Sequence, residues 1–221
     1  MPRISRIIVP GFPHHITQRG NNRAVVFFDD EDRQVYLKLL AAYARRYALK
    51  ILAYCLMDNH IHLLVVPETE TALARGIGLT NLVYTQYLNR KRSQSGRVWQ
   101  NRFFSCVVGN EQYLWSVSRY IERNPLKVRL AKRPEDYRWS SAKAHLADAD
   151  DATLSLPSWL DQAERAAYSE FVLAKNDEIE NTLRKATRTG RPFGSESFIE
   201  MLESRLKKTL KAKKVGRPRI K

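Results

Sequence analysis

The chain has 221 residues, a formal net charge of +15 at pH 7 and an isoelectric point near 10.0, a length that suffices for one full hydrophobic core with an appendage. So strong a positive charge indicates a polyanionic partner, with nucleic acid ahead of an anionic membrane surface. The sequence argues against a membrane span or a secretory signal, because no apolar run approaches about 20 residues, and against a disulfide framework, because Cys55 and Cys106 stand far apart with no CxxC pair.

The first half of the chain alternates between strand and helix patterns. HHITQRG, from residue 14, alternates as a strand does, and the stretch 29–49 carries apolar residues at helical spacing behind an N-cap at Asp29 or Asp30. KILAYCLMD and HIHLLVVP then predict two apolar strands that form a hairpin around Asp58 and Asn59.

Three further elements complete this pattern. Residues 71–92 predict a helix, RFFSCVV from residue 102 predicts a fourth strand, and 111–124 predict a third helix that Pro125 ends. The order strand, helix, strand, strand, helix, strand, helix is typical of an α+β fold. We therefore predict one antiparallel sheet with helices on a face, of the ferredoxin-like or RNA-recognition-motif kind.

The composition changes after residue 145. ADADDATLSLP, from residue 147, is small and acidic and is typical of a linker, and 158–187 and 196–211 then predict helices. We expect a catalytic domain over 1–145 and a helical extension with a basic tail over 146–221. With two buried thiols and no leader, we expect a cytoplasmic, nucleoid-associated protein.

Two histidines open the third strand. His60 and His62 point to the same face because strand side chains alternate. They are either a pair of metal ligands or ordinary strand-end residues. Tyr120 and Asn124 share one face of the third helix, so Asn124 could complete a metal site beside the Tyr120 phenol. The alternative is a core tyrosine followed by a helix-ending Asn-Pro.

A phenol beside a divalent ion has a chemical use. Its pKa near 10 makes it a poor nucleophile, but it can attack a phosphodiester whose charge a metal neutralises. The products would be DNA joined to the protein through phosphotyrosine and a 3′-hydroxyl. Tyr84, Tyr87 and Tyr113 are competing nucleophiles, although each lacks an amide one turn later. We expect the remaining histidines to be surface or structural residues: His14, His15 and His145.

Five motifs occur in a fixed order: HITQRGNNR, MDNHIHLL, VWQNRFF, SRYIERNPLK and YRWSS. In these motifs, over roughly residues 10 to 145, the chain resembles the single-tyrosine HUH transposases of IS200-like elements. Within them it is similar to the REP-associated tyrosine transposases, which carry such extensions. The resemblance implies that His60 and His62 bind a divalent metal, Mg²⁺ or Mn²⁺, that Tyr120 is the nucleophile, and that Asn124 is the third ligand, where relatives use a glutamine.

The resemblance also implies an activity and partners. We expect metal-dependent cleavage and transfer of single-stranded, hairpin-forming repeat DNA, by a monomer or a homodimer. The rivals are a host nuclease that never rejoins strands and a non-catalytic nucleic-acid-binding module. A sheet of the second kind shows exposed aromatic residues on its central strands, and HIHLLVV has none.

Basic residues supply the predicted DNA contacts. From Arg205 to Lys221 there are nine lysines or arginines and no acidic residue, which indicates either a solvated tail or phosphate binding. Gly216 to Pro218, flanked by lysines, looks like an AT-hook that reads A·T-rich duplex in the minor groove. The predicted DNA-binding residues are Arg19, Arg102, Lys127, Lys207, Lys208, Lys211, Lys213, Lys214, Arg217 and Arg219.

Overall fold

The computed structural model describes residues 6–109, 111–155, 160–174 and 177–211. Its first seven major elements follow the predicted order: β1 (His14–Arg19), α1 (Asp30–Arg46), β2 (Leu49–Met57), β3 (His60–Pro67), α2 (Ala72–Lys91), β4 (Phe104–Val107) and α3 (Glu111–Glu122). The rest are helices: α4 (Asn124–Lys127), α5 (Ala142–Ala147), α6 (Gln162–Leu173), α7 (Asp177–Thr189) and α8 (Glu196–Leu206). No helix in the described ranges combines the length and the apolar character of a membrane span.

The strands form one antiparallel sheet in the order β2-β3-β1-β4. This is the arrangement predicted from the order of elements, and the α+β fold class is confirmed. Asp58 and Asn59 make the two-residue turn between β2 and β3, so that Met57 pairs with His60. The register then places His62 between Thr17 on β1 and Cys55 on β2.

Helices cover both faces of the sheet. Leu49 on β2 contacts α2 so closely that a Cβ on Gly76 would lie 2.2 Å from its Cδ1. The ring of Tyr120 on α3 lies against His62, which alternation places on the opposite face from Leu49. The prediction of helices on a single face thus describes α1 and α2 only. Both faces need cover because β3 is apolar on both sides, as the full burial of Leu63 and Leu64 shows.

The chain beyond residue 145 packs onto this sheet. Leu183 and Ala186 of α7 belong to the main core together with Phe193. Phe193 also donates its backbone N–H to the Val107 carbonyl at 2.8 Å, so the segment after α7 lies along β4. The stretch that we interpreted as a linker contacts β2, where Tyr54 donates its hydroxyl to Asp151 at 2.7 Å.

Local signals account for most helix ends. Asp29 is the N-cap of α1 and accepts from the Asp32 N–H at 2.9 Å, which decides between the two predicted caps. The helix predicted over 158–187 is two helices, α6 and α7. The third predicted helix ends at Glu122, and Pro125 lies in the first turn of α4. The two cysteines are buried thiols, as predicted.

Candidate active site

A cavity of about 750 Å³ lies between the histidine face of the sheet and the helices α3, α4 and α7. Its lining includes His60, His62, Tyr120 and Asn124, the four residues predicted to carry the chemistry. Two predicted DNA contacts, Arg19 and Lys127, line it as well. Residues from three separate parts of the chain therefore meet in one place.

His60 is held by the hairpin turn that precedes it. Asn59 donates its amide nitrogen to the Arg23 carbonyl at 3.1 Å, which turns its amide oxygen toward His60. His60 Nδ1 lies 2.6 Å from that oxygen and must donate to it. The lone pair of the His60 ring is therefore on Nε2. Burial lowers the pKa of His60 to about 4, so the ring is neutral, as a metal ligand must be.

His62 lies deeper and contacts a third histidine. Its Nδ1 is 3.1 Å from Nε2 of His15, and the two rings are stacked with centroids 5.3 Å apart. Burial holds the pKa of His62 well below its usual value, and the neighbouring His60, His15, Lys127 and Arg19 lower it further. Burial alone lowers the pKa of His15 to about 3. Both rings are neutral at physiological pH.

The Tyr120 phenol stands edge-on to two of these rings. Its ring centroid is 5.3 Å from that of His62 and 5.6 Å from that of His15. Burial raises the pKa of Tyr120, and the Arg184 guanidinium beside it works against that rise. Lys127 adds a second cation, with Nζ 4.2 Å from the centre of the Tyr120 ring. The surroundings keep the phenol protonated at rest and favour its anion when the proton leaves.

Asn124 opens α4 rather than continuing α3, yet it stays one turn from Tyr120 as predicted. Its amide nitrogen donates to the Tyr120 carbonyl at 2.7 Å and to the Ile121 carbonyl at 3.3 Å. That leaves the amide oxygen as the atom able to bind a cation. Two imidazole nitrogens and an amide oxygen fit Mn²⁺ well, and Mg²⁺ if water or phosphate supplies further oxygens.

No other metal centre competes with this one in the part of the chain that the structure describes. There, no group of three or more His, Cys, Asp or Glu side chains has ligating geometry. A metal at His60 and His62 would therefore depend on Asn124, and on oxygens from outside the protein, to complete its coordination.

Helix α7 forms a basic wall of the cavity that the sequence reasoning missed. Its lining residues follow helical spacing and present one face: Asn181, Arg184, Lys185 and Arg188. The cations at i, i+1 and i+4 in a predicted helix were an available signal. Lys127 joins α4 to this wall through an ion pair with Glu180 at 2.6 Å. His15 and Thr187 were also missed, and both are buried beside His62.

The competing tyrosines lie elsewhere. Tyr84 is fully buried and donates its hydroxyl to the Val26 carbonyl at 2.6 Å, and Tyr87 donates to Asp32. Tyr113 packs edge-on against Phe193. None of these three tyrosines, all within the described residues, lines the cavity. Tyr120 is thus the candidate nucleophile that lies against the histidine pair.

The other predicted residues are spread more widely. Arg102 lines neighbouring cavities, and Lys207 and Lys208 are exposed after α8. Lys211 forms ion pairs with Glu196 and Glu200, each at 2.9 Å. The remaining tail calls fall outside the described residues: Lys213, Lys214, Arg217, Arg219 and the AT-hook motif around them.

The last two histidines are structural and buried. His14 lies on β1, with Nδ1 2.7 Å from the Phe12 carbonyl. His145 lies on α5 and bonds to Glu122. The expectation that they are surface or structural residues is thus met on the structural side, as the burial of both shows.

Comparison with known proteins places these features in a family context. Residues 9–124 match the family model described as IS200-like transposase. A Haemophilus influenzae protein, provisionally named a REP-associated tyrosine transposase, is 28% identical over 105 residues, which are 43% of this chain and 60% of that protein. The matched stretch thus spans less than two thirds of its length.

A solved structure shares the fold. It is described as a REP-associated tyrosine transposase bound to a REP hairpin, and it aligns with a TM-score of 0.55 at 18% identity. The alignment covers 74% of this chain and 96% of that one. At this identity the likeness establishes the fold alone.

Proposed function

We propose, from the premise that this chain belongs to the IS200-like transposase family, that it is a tyrosine transposase of the REP-associated kind. It cleaves and rejoins single strands of hairpin-forming repeat DNA through a covalent bond to Tyr120. The observation that carries this proposal is the edge-on contact of the Tyr120 ring with His62, inside a cavity walled by cations.

The cleavage step follows from these groups. The Tyr120 oxygen attacks the phosphorus, a Tyr–O–P bond forms, and the bond from phosphorus to the 3′-oxygen breaks. The phenolic proton leaves through solvent, and the departing 3′-oxygen takes up a proton. Arg184 and Lys127 stabilise the phenolate as that proton departs. Rejoining is the reverse step with a different 3′-hydroxyl as the attacking group.

Three residues would hold a divalent cation: His60, His62 and Asn124. When bound, Mg²⁺ or Mn²⁺ neutralises the charge of the scissile phosphate and polarises it for attack. The neutral state of both histidines and the position of the His60 lone pair on Nε2 support this ligand set. Asn124 Nδ2 remains bonded to its own helix, which fixes the amide oxygen for the third position.

Charge and access support single-stranded DNA as the substrate. Arg19, Lys185 and Arg188 line the cavity in addition to the two cations beside the phenol. Because α3 and α7 cover the sheet, a nucleic acid reaches the histidines only as a strand that enters this cavity. A module that binds nucleic acid on an open sheet would need that face uncovered, which favours the enzyme over the non-catalytic rival. The hairpin in the solved structure described above supports a folded repeat as the target.

The test is a covalent-adduct assay. The protein is incubated with single-stranded hairpins labelled at the 5′ or the 3′ end, plus Mg²⁺ or Mn²⁺, and denaturing gels are examined for a protein-DNA band. Tyr120→Phe should abolish the adduct and keep DNA binding, whereas the matched control Tyr113→Phe should keep both. An adduct that persists in Tyr120→Phe would move the nucleophile elsewhere. Ligated product from a second strand would separate a transposase from a nuclease.

A further inference from the structure

A chain of hydrogen bonds runs from α7 to the histidine pair. Thr187 donates its hydroxyl to the Leu183 carbonyl one turn earlier, at 2.9 Å. Its oxygen is also 2.7 Å from His15 Nδ1, and His15 Nε2 is 3.1 Å from His62 Nδ1. The three side chains are buried, with Thr187 2%, His15 1% and His62 5% exposed, so water has little access to any of these bonds.

The hydrogen-bonding capacity of Thr187 fixes the direction of this chain. A threonine hydroxyl donates once and accepts twice. Its proton goes to Leu183, so its oxygen accepts from His15 Nδ1–H and from the Cys106 thiol at 3.2 Å. Burial raises the pKa of Cys106 to about 12, so the thiol keeps its proton and can donate. All three capacities of the hydroxyl are used.

The direction then passes through His15 to His62. With its proton on Nδ1, the neutral His15 ring has its lone pair on Nε2. His62 must therefore donate from Nδ1, which leaves the His62 lone pair on Nε2. In the opposite direction, with the hydroxyl donating to His15, the His62 proton would sit on Nε2. A protonated ring nitrogen cannot bind a metal, so the direction of the chain decides whether His62 is a ligand.

We propose that Thr187 and His15 are positioning residues that hold His62 in the tautomer able to bind a divalent cation. The inference rests on the proposed function, because it deepens the role given there to His62. His60 has its own anchor in Asn59, so the two ligands are oriented from different parts of the fold. The extension thereby contributes to the active site through a residue on α7 as well as through its basic wall.

The decisive variant is Thr187→Val, which removes the hydroxyl and keeps the shape. In the metal-free protein, two-bond ¹H–¹⁵N NMR spectra report which ring nitrogen of each histidine carries the proton. We expect Nδ1–H at His62 in the parent protein and a shift toward Nε2–H in Thr187→Val. Calorimetric titration with Mn²⁺ should show about a 10- to 100-fold loss of affinity. Thr187→Ser, which restores the hydroxyl, should recover both properties.

A matched control lies on the same helix. Thr189 also donates its hydroxyl to the carbonyl four residues earlier, Lys185 at 2.8 Å, but it is exposed. Thr189→Val should leave the tautomer and the Mn²⁺ affinity unchanged. If Thr187→Val does not fold, as thermal unfolding would reveal, His15→Phe removes the acceptor for His62 and should cause the same loss of affinity.

The outcomes separate this inference from the proposed function. Parent-like tautomer and Mn²⁺ affinity in Thr187→Val would overturn the positioning role, even if the protein forms covalent adducts with DNA. An equal loss in Thr189→Val would overturn it too. A changed tautomer and weakened Mn²⁺ binding would support the positioning role, even if no hairpin gave an adduct and the proposed function failed.

Discussion

Leu183→Ala tests whether the C-terminal helices and the sheet unfold as one unit. Leu183 lies on α7, is 0% exposed, and belongs to the main core. Truncating a fully buried leucine costs about 2–5 kcal/mol, through lost burial and the cavity left behind. For a chain of this size, 1 kcal/mol lowers the melting temperature by about 2–4 °C. We therefore expect a fall of about 4–20 °C in a single cooperative transition.

The assay is thermal unfolding followed by circular dichroism and by calorimetry. Leu173→Ala is the matched control, because Leu173 on α6 is 64% exposed and should change the stability by about 0.5 kcal/mol or less. Two separate transitions, of which only one moves in Leu183→Ala, would contradict a shared core. That result would support the division near residue 145 that the composition predicts.

Three further predictions concern the cavity and the tail. His60→Ala or His62→Ala should each abolish Mn²⁺ binding and adduct formation, and EDTA should do the same reversibly; full activity in chelator would remove the metal from the mechanism. Arg184→Gln should slow single-turnover cleavage more than it weakens Mn²⁺ binding, because it removes a cation beside the phenol, whereas Lys143→Gln on the exposed side of α5 should do neither. Removing residues 212–221 should flatten the dependence of log affinity on log salt by about 0.7 per lost single-strand phosphate contact and about 0.9 for duplex, without changing the single-turnover rate.

The sequence predicted those parts of the site that depend on local periodicity. Alternation along a strand was enough to place His60 and His62 on one face, and helical spacing was enough to bring Asn124 within a turn of Tyr120. The Asp58 turn signal fixed the hairpin that carries the histidines. These relations involve residues close in sequence, where the backbone geometry leaves few alternatives.

The remaining part of the site depends on contacts between distant residues. His15 and Thr187 are 172 positions apart, and no periodicity relates them. The acidic composition after residue 145 favoured an independent extension, and composition does not reveal that Leu183 is part of the main core. A buried histidine must find a partner, but its sequence neighbourhood does not say which one.

A second buried cluster strengthens the link between the extension and the nucleophile. Glu122, two residues after Tyr120, is fully buried and accepts hydrogen bonds from Ser141 at 2.8 Å and from Tyr168 of α6 at 2.9 Å. A buried carboxylate left without such donors costs more than an ordinary lost hydrogen bond, so these partners hold α3 in place. The helix that carries Tyr120 is thus fixed on one side by α6 and faced on the other by the basic wall of α7. The position of the phenol over the histidines therefore depends on residues that composition alone assigned to an appendage.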